Sequence, residues 1–327
     1  MQAFEYASPT TREEAVKLLS AEWGQTEILA GGTDLLSLMK DSVSTPKRVV
    51  SLQHVKGLGE LEHQGNELSI GALVTVQQLL DHAPLHEHFP GLVQAAEGIT
   101  SPQVRAIGTV GGELLQRPRC WYFRDGHGLL ATHQGKALVP EGDNRYHAIL
   151  GNAGPAYFVN PSSLGPILIA LGARVKLLGP GGEREVTLDK FFVAPRSDAE
   201  REYVLKPNEI LTHIVVPHHA NSKSATYQVR QREALDWPLA AAAVVLHMSG
   251  ETIDGARVVL GHVAPVPWLA PEAEKALAGR PVNAGVATEA GKAAVTGARP
   301  FSKNAYKVQL ARIAVKRAIL LAAGKEA

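Results

Sequence analysis

The sequence predicts an α+β protein that consists of two or three compact units. The chain has 327 residues, more than one small domain usually contains. Residues 1–52 alternate strand-like and helical segments, and residues 223–327 place three strand-like runs before three helical ones. Both patterns mix helices with sheets, so neither an all-α nor an all-β fold is expected.

Composition excludes several classes of function. The 33 basic and 32 acidic residues leave a net charge of +1, and no block of like charge indicates a nucleic-acid partner. The single cysteine, Cys120, excludes an internal disulfide and an all-cysteine cluster built from this chain alone. No apolar run reaches the roughly 20 residues that span a bilayer, and the N-terminus does not resemble an export signal. We expect a cytoplasmic protein, exported only together with a signal-bearing partner.

Elements of the first unit follow from local patterns. Residues 1–6, 27–30 and 48–52 are predicted strands, and the run Ser8–Thr11 predicts a helix start with acidic residues in its first turn. A short helix over 35–39 follows the first of two glycine pairs, and its N-terminus would favour an anion. Lys40 and Lys47 lie nearby, and solvated surface is their simpler interpretation.

Later elements are predicted in the same way. The apolar positions of 303–323 recur at helical spacing and make this the strongest helix in the chain. Thr75 is the expected cap of its helix. Predicted strands cover 67–72, 156–159, 173–178, 184–187, 209–216, 225–232, 240–248 and 252–260, and predicted helices cover 75–82, 92–98, 164–171, 188–192, 273–278, 286–295 and 303–323.

Two glycine-rich segments are the most informative feature of the sequence. Each predicts a tight turn, because glycine accepts a positive φ and lets backbone N–H groups approach a ligand. Successive amides of such turns form anion nests, and two facing nests can hold a pyrophosphate. Valine at Gly32 or Gly111 should then block the ligand and leave the fold largely intact. An ordinary turn is the alternative for either segment alone. The segments read Ala30, Gly31, Gly32, Thr33, Asp34, Leu35 and Gly108, Thr109, Val110, Gly111, Gly112, Glu113.

Neither segment fits the Rossmann or P-loop fingerprint, so a phosphate site here belongs to another class. The stretches Ala30–Leu36 and Gly108–Gly112 resemble the two FAD-pyrophosphate loops of the medium, flavin-binding subunit of molybdenum hydroxylases. That family includes the xanthine dehydrogenase, aldehyde oxidoreductase and carbon monoxide dehydrogenase types. The opening F-x-Y-x-x-P and the stretch Asn304–Lys307 also match, so the resemblance covers nearly the whole chain.

The resemblance implies a fold and a division into domains. The fold is a two-lobed FAD-binding domain of the vanillyl-alcohol oxidase and p-cresol methylhydroxylase type. It is followed by a C-terminal α+β domain of the carbon monoxide dehydrogenase flavoprotein type. Lobe 1 is expected at residues 1–56, lobe 2 at 57–217 and the C-terminal domain at 223–327.

Residues 116–150 resemble an insertion found in bacterial aldehyde oxidoreductases. Some members of that subgroup bind a [4Fe–4S] cluster there through four cysteines, whereas this chain keeps only Cys120. We therefore predict no such cluster and a structured or mobile loop. His127, His133 and His147 could bind a metal, but their spacing matches no recognised ligand pattern. Surface or hydrogen-bonded histidines are the simpler interpretation.

The resemblance also implies which residues contact FAD. No catalytic and no metal-binding residue is expected. Glu113 stands where the family has Asn or Asp, and Ser163 stands where it has Asp. Whether these two side chains contact FAD as the family's residues do is therefore an open question. Ser163 can still cap a helix. Trp237 is a candidate for packing near the isoalloxazine, with a core aromatic as the alternative. The expected set is Ala30, Gly31, Gly32, Thr33, Asp34, Leu35, Ser101, Gly108, Thr109, Gly111, Gly112, Glu113, Ser163 and Trp237, beside a basic-acidic segment at Arg230–Pro238.

The implied function is that of an FAD-binding electron-transfer subunit. Its partners would be a molybdopterin-binding large subunit and a [2Fe–2S] small subunit. Electrons would pass from the [2Fe–2S] clusters through FAD to an acceptor such as NAD⁺, oxygen or ferredoxin. Two alternatives remain open, a self-contained FAD oxidase or reductase on the same fold and a flavin-free scaffold subunit. The sequence contains neither a G-x-S-x-G elbow nor an H-E-x-x-H motif for chemistry of its own.

Overall fold

A computed structural model describes residues 1–232 and 236–326 of the chain. The strands are β1 (Glu5–Ala7), β2 (Thr26–Leu29), β3 (Arg48–Ser51), β4 (Leu61–Gln64), β5 (Glu67–Gly71), β6 (Thr132–His133), β7 (Lys136–Ala137), β8 (Arg174–Gly179), β9 (Gly182–Thr187), β10 (Ile210–Pro217), β11 (Ser222–Val229), β12 (Ala240–Ser249), β13 (Thr252–Gly261) and β14 (Trp268–Leu269). The helices are α1 (Arg12–Leu18), α2 (Leu35–Lys40), α3 (Val76–Asp81), α4 (Ala83–His88), α5 (Pro90–Glu97), α6 (Pro102–Ile107), α7 (Val110–Leu115), α8 (Trp121–Arg124), α9 (Gly165–Ala170), α10 (Leu188–Phe191), α11 (Pro271–Leu277), α12 (Ala284–Ala294) and α13 (Tyr306–Ala322).

The N-terminal sheet is parallel, with strand order β1-β3-β2. The alternation of strands and helices predicted for this region is therefore confirmed, since parallel neighbours need crossover connections such as α1 and α2. The predicted helix start is confirmed as well. Thr11 Oγ1 accepts from the backbone N–H of Glu14 at 3.2 Å, and the Glu14 carboxylate accepts from the N–H of Thr11 at 3.2 Å.

Two antiparallel sheets form the rest of the frame. One has the strand order β4-β5-β10-β8-β9 and the other the order β11-β12-β13-β14. Helices α5 and α9 pack between these sheets, and α13 packs on the far face of β11 and β12. The Gly91 N–H donates to Ser224 Oγ at 3.1 Å, which ties α5 to the C-terminal sheet. None of the helices in the described ranges is long and apolar enough to cross a membrane.

The largest departures from the predicted elements surround the glycine segments and residues 116–150. Residues 156–159, predicted as a strand, are irregular. The polar stretch before the second glycine pair forms α6, and that pair lies inside α7. Residues 116–150 carry α8, the β6–β7 hairpin and a small core that includes Cys120, Phe123 and Val139 together with Leu38 and Phe158. This segment is therefore structured, although it has no sequence periodicity.

Candidate cofactor site

Two adjoining cavities bring together all the residues that the sequence indicated for the cofactor. The first measures about 150 Å³ and the second about 270 Å³. Ala30, Gly31, Gly32, Leu35 and Gly111 line the first cavity, and Ser101, Gly108, Glu113, Ser163 and Trp237 line the second. Both cavities share the walls formed by Thr33, Asp34, Thr109, Gly112 and Gln116.

The first glycine segment offers a row of free backbone donors. Within the described part of the chain, the N–H groups from Gly31 to Leu35 donate to no protein acceptor. Gly32 has φ of +75°, a conformation that glycine adopts without strain. Successive free amides in a turn form a site for an anion. This arrangement matches the nest predicted for the first segment.

The second glycine segment differs from its prediction. Gly111 and Gly112 occupy the first turn of α7, and their N–H groups are already used, by Ala72 O at 3.0 Å and Thr109 Oγ1 at 3.1 Å. The N–H of Val110 donates to Val74 O at 2.8 Å. The prediction of two facing nests is therefore wrong, because helix capping and the β5–α3 connection take up the amides of Val110, Gly111 and Gly112.

Several of the glycines are required by contacts within the protein. A Cβ on Gly31 would lie 1.9 Å from Ile107 O, and a Cβ on Gly111 would lie 2.8 Å from Ala72 O. Because Gly31 has no side chain, the first glycine segment can lie directly against the start of the second. The expectation that valine at Gly111 leaves the fold largely intact is wrong, since backbone atoms of Ala72 occupy the space.

The carboxylate of Asp34 is used to hold the insertion in place. Asp34 accepts from the backbone N–H of Arg117 at 2.8 Å and from Arg124 Nη2 at 2.8 Å, and it pairs with Arg119 Nη1 at 3.0 Å. Arg119 in turn stacks over the ring of Trp237, 4.5 Å from its centroid. Trp237 is 47% exposed, so the alternative of a core aromatic is wrong.

The carboxylate of Glu113 bridges α7 and the start of α9. It accepts from Ser162 Oγ at 2.6 Å and from the backbone N–H of Ser163 at 2.5 Å. Burial raises the pKa of Glu113 to about 7. The hydrogen bonds from Ser162 and Ser163 act in the opposite direction and lower this pKa, but the effect of burial is larger. The capping role expected of Ser163 belongs to Ser162, whose Oγ accepts from the N–H of Gly165 at 2.8 Å.

Arg119 and Gln116 are cavity residues that the sequence argument did not assign to the site. Gln116 lines both cavities, and its Oε1 accepts from Arg119 Nη2 at 3.0 Å. Burial lowers the pKa of Arg119 to about 10, so the guanidinium stays charged at neutral pH. The basic residues of the stretch Gln116–Arg124 were the sequence feature that could have indicated a role at this site. Of the segment Arg230–Pro238, residues 233–235 lie outside the described residues.

The three histidines of the insertion contact other side chains of the same segment. His127 and His133 contact each other edge to face, with ring centroids 5.9 Å apart. His147 is buried beside Cys120, with Nε2 at 3.2 Å from Sγ. Across residues 1–232 and 236–326, no group of three or more His, Cys, Asp or Glu side chains is arranged to hold a metal ion.

Comparison with known proteins identifies the family. Residues 2–219 match the family described as FAD binding domain in molybdopterin dehydrogenase, and residues 225–322 match the CO dehydrogenase flavoprotein C-terminal domain. The FAD-binding subunit of aldehyde oxidoreductase from Escherichia coli (strain K12) is 30% identical over 322 residues, covering 95% of this chain and 96% of that subunit. The carbon monoxide dehydrogenase medium chain of Hydrogenophaga pseudoflava is 28% identical over 320 residues, covering 97% and 96% of the two chains.

Solved structures agree with the sequence matches. The structure of carbon monoxide dehydrogenase from Hydrogenophaga pseudoflava that lacks the Mo-pyranopterin moiety superposes with a TM-score of 0.78 at 28% identity, covering 100% of this chain and 99% of that one. The predicted family resemblance, the fold class and the FAD cofactor are thereby confirmed. The chain belongs to the FAD-binding medium subunits of the molybdenum hydroxylases, which are oxidoreductase components of multi-subunit complexes.

Proposed function

We propose that this chain binds FAD across the two adjoining cavities and passes electrons from a partner's [2Fe–2S] clusters to an external acceptor. The observation that supports this most strongly is the row of free amides from Gly31 to Leu35 in the wall of the joined cavities. These donors fit an anionic pyrophosphate. A bound flavin supplies the redox chemistry, since it exchanges electrons singly or in pairs.

The protein's own groups would bind and orient the cofactor. In this proposal the amides of the first segment hold the pyrophosphate, and Thr33, Asp34 and Gly112 form the wall where the two cavities join. Asp34 fixes Arg119, and Arg119 fixes the ring of Trp237 at the rim of the second cavity. The remaining contacts come from Ala30, Gly31, Gly32, Leu35, Ser101, Gly108, Thr109, Gly111, Glu113 and Ser163.

The partners in this proposal are a molybdopterin-binding large subunit and a [2Fe–2S] small subunit. Relatives carry names such as medium chain and FAD-binding subunit, which belong to multi-subunit enzymes. We place the docking face where the C-terminal domain at 223–327 meets the 116–150 insertion. Exposed Tyr146, Trp237 and Tyr306 lie in this region. The lobes at 1–56 and 57–217 and the cytoplasmic location stay predictions.

Reconstitution with the partner chains tests the proposal. The purified chain should carry FAD, be reduced by dithionite and show no turnover of aldehydes or purines, because in this proposal the substrate is oxidised at the molybdopterin centre of the large subunit. Adding the molybdopterin and [2Fe–2S] chains should restore substrate-dependent bleaching of the flavin absorbance. Turnover by the single chain would instead support a self-contained oxidase, and absence of flavin would support a scaffold.

A further inference from the structure

The stretch of residues 57–104 has an unusual distribution of charge. It contains six acidic residues and four histidines but no lysine or arginine, although the chain has 33 basic residues in all. One of the acidic residues, Glu67, pairs with Arg174 of β8 at 2.7 Å. A surface formed by this stretch therefore favours a cation over an anion.

Two histidines of this stretch meet at the protein surface. The Nε2 atoms of His63 and His82 are 3.2 Å apart, whereas the ring centroids are 5.5 Å apart and the ring planes differ by 17°. The two nitrogens are thus the facing atoms of the pair. His63 is exposed and His82 is half-buried, so solvent reaches the pair.

The backbones that carry these two rings are fixed by secondary structure. His63 lies in β4 and pairs with Leu68 of β5 in the antiparallel ladder. His82 connects α3 to α4, where its N–H donates to Leu79 O at 3.4 Å and its carbonyl oxygen accepts from the N–H of Leu85 at 3.0 Å. Side chains on such fixed elements can form a precise binding site.

The separation of the two nitrogens fits a shared metal ion. Two imidazole nitrogens that bind one tetrahedral Zn²⁺ at about 2.0–2.1 Å stand roughly 3.3 Å from each other. The Nε2 atoms of His63 and His82 already lie at this separation. Rotation of the two rings about χ2, a torsion with broad minima, turns both lone pairs towards an ion beside the pair.

Both rings can make Nε2 free for a metal. A neutral imidazole carries one N–H, and placing it on Nδ1 leaves the Nε2 lone pair available. We propose that His63 and His82 bind one Zn²⁺ through Nε2 and that water fills its other positions. Such a site differs from a closed structural zinc site with four protein ligands. The ion joins the β4–β5 hairpin to the α3–α4 connection, and it is independent of the flavin.

Other histidines near the hairpin do not bring two nitrogens face to face. The N–H of His218 donates to Asn66 O at 2.9 Å, which places this residue beside the hairpin turn. Its ring contacts that of His88 with centroids 4.8 Å apart and planes at 62°. The rings of His219 and His247 meet with centroids 5.7 Å apart and planes at 84°. Both contacts are edge to face, so these residues provide controls.

Zinc uptake by the purified chain tests the proposal. The chain is treated with EDTA and dialysed to equilibrium against zinc chloride, and bound zinc is measured by atomic absorption. We expect saturable binding of about one ion per chain. Zinc should also raise the melting temperature, because an ion held by two elements of the folded chain stabilises that state.

Two variants and a matched control locate the ion. His63→Phe and His82→Phe keep a ring of similar size but remove its nitrogens, and each should weaken zinc binding at least about tenfold, since one of two joined ligands is lost. His219→Phe makes the same change at an exposed histidine outside the pair and should bind zinc as the wild type does. Melting temperatures without zinc show whether each variant folds.

Each contrary outcome is specific. If the wild type takes up no zinc, His63 and His82 form only a hydrogen bond with each other. Zinc affinities of His63→Phe and His82→Phe equal to that of the wild type would refute the site. A loss of zinc binding in His219→Phe as large as in these two variants would place the ion elsewhere and overturn the assignment to the pair.

Discussion

Glu113 shows how much one side chain contributes at this site. The sequence marked it only as a departure from the family pattern with an open contact. In the structure its carboxylate joins the second glycine segment to the start of α9, through Ser162, Ser163 and the N–H of Leu164. A shorter Asn or Asp side chain would reach less far across this gap. The longer carboxylate therefore holds the wall of the second cavity.

The raised pKa of Glu113 predicts a specific pH dependence of stability. Between its ordinary value of 4.5 and about 7, the unfolded chain has lost the proton while the folded chain keeps it, so the free energy of unfolding falls as pH rises. The loss amounts to at most about 3 kcal/mol. Glu113→Gln removes this dependence. The melting temperature of the wild type should therefore fall relative to that of Glu113→Gln between pH 5 and pH 8.

An exposed carboxylate provides the control for this measurement. Glu87→Gln changes a glutamate on the surface and should follow the wild type at every pH. If the difference in melting temperature between the wild type and Glu113→Gln stays constant from pH 5 to pH 8, the pKa of Glu113 is not raised in the folded protein.

At the scale of elements, the two glycine segments look alike in sequence but differ in what their backbones do. The amides of α7 are used by Thr109, Ala72 and Val74, so this segment serves as a helix start. The amides from Gly31 to Leu35 remain free in the described part of the protein. We therefore expect the first segment to bind the anion, while the second forms the wall against which the first packs.

A charge placed on the first segment tests this division. Thr33 is exposed and lines both cavities, so its replacement should not disturb packing. Thr33→Glu puts a carboxylate beside the free amides and should lower FAD affinity at least about tenfold, which corresponds to roughly 1.4 kcal/mol. Thr33→Gln has the same size without the charge and should lose much less. Affinity is measured by titrating the apoprotein with FAD, and equal affinities for both variants would contradict the proposed role of the amides.

At the scale of the whole molecule, the start of the C-terminal helix α13 and the residues just before it hold the insertion to the rest of the chain. Asn304 Nδ2 donates to the carbonyl oxygens of His147 at 3.1 Å and Ala148 at 3.3 Å. Lys307 is 1% exposed and donates to carbonyl oxygens of the insertion and of the residue after β13. The stretch Asn304–Lys307 thus connects distant parts of the chain through buried polar contacts.

Removing the Lys307 amine should destabilise the protein. Lys307→Met keeps a similar shape but leaves three buried carbonyl oxygens with one partner fewer, so we expect a loss of about 2–4 kcal/mol in the free energy of unfolding. Lys303→Met changes an exposed lysine at the start of the same region and should stay within about 0.5 kcal/mol of the wild type. Thermal unfolding of the two variants measures the difference, and equal melting temperatures would refute a structural role for Lys307.

Local patterns in the sequence determined much of the secondary structure and the family. The capping box of Thr11 and Glu14 and that of Thr75 and Gln78 depend on residues three apart, so they can be read without tertiary information. The glycine segments, taken together, indicated an FAD-binding medium subunit, and the family matches confirm it.

Only the tertiary structure decided how these parts are used. Whether a glycine amide is free depends on what lies opposite it, as Ala72 and Val74 do for α7. The role of Glu113 depends on Ser162, and the link between the insertion and the end of β13 depends on Lys307 reaching the carbonyl oxygens of His147 and His262. These contacts join residues far apart in the chain, and no spacing or periodicity within a short window of sequence specifies them.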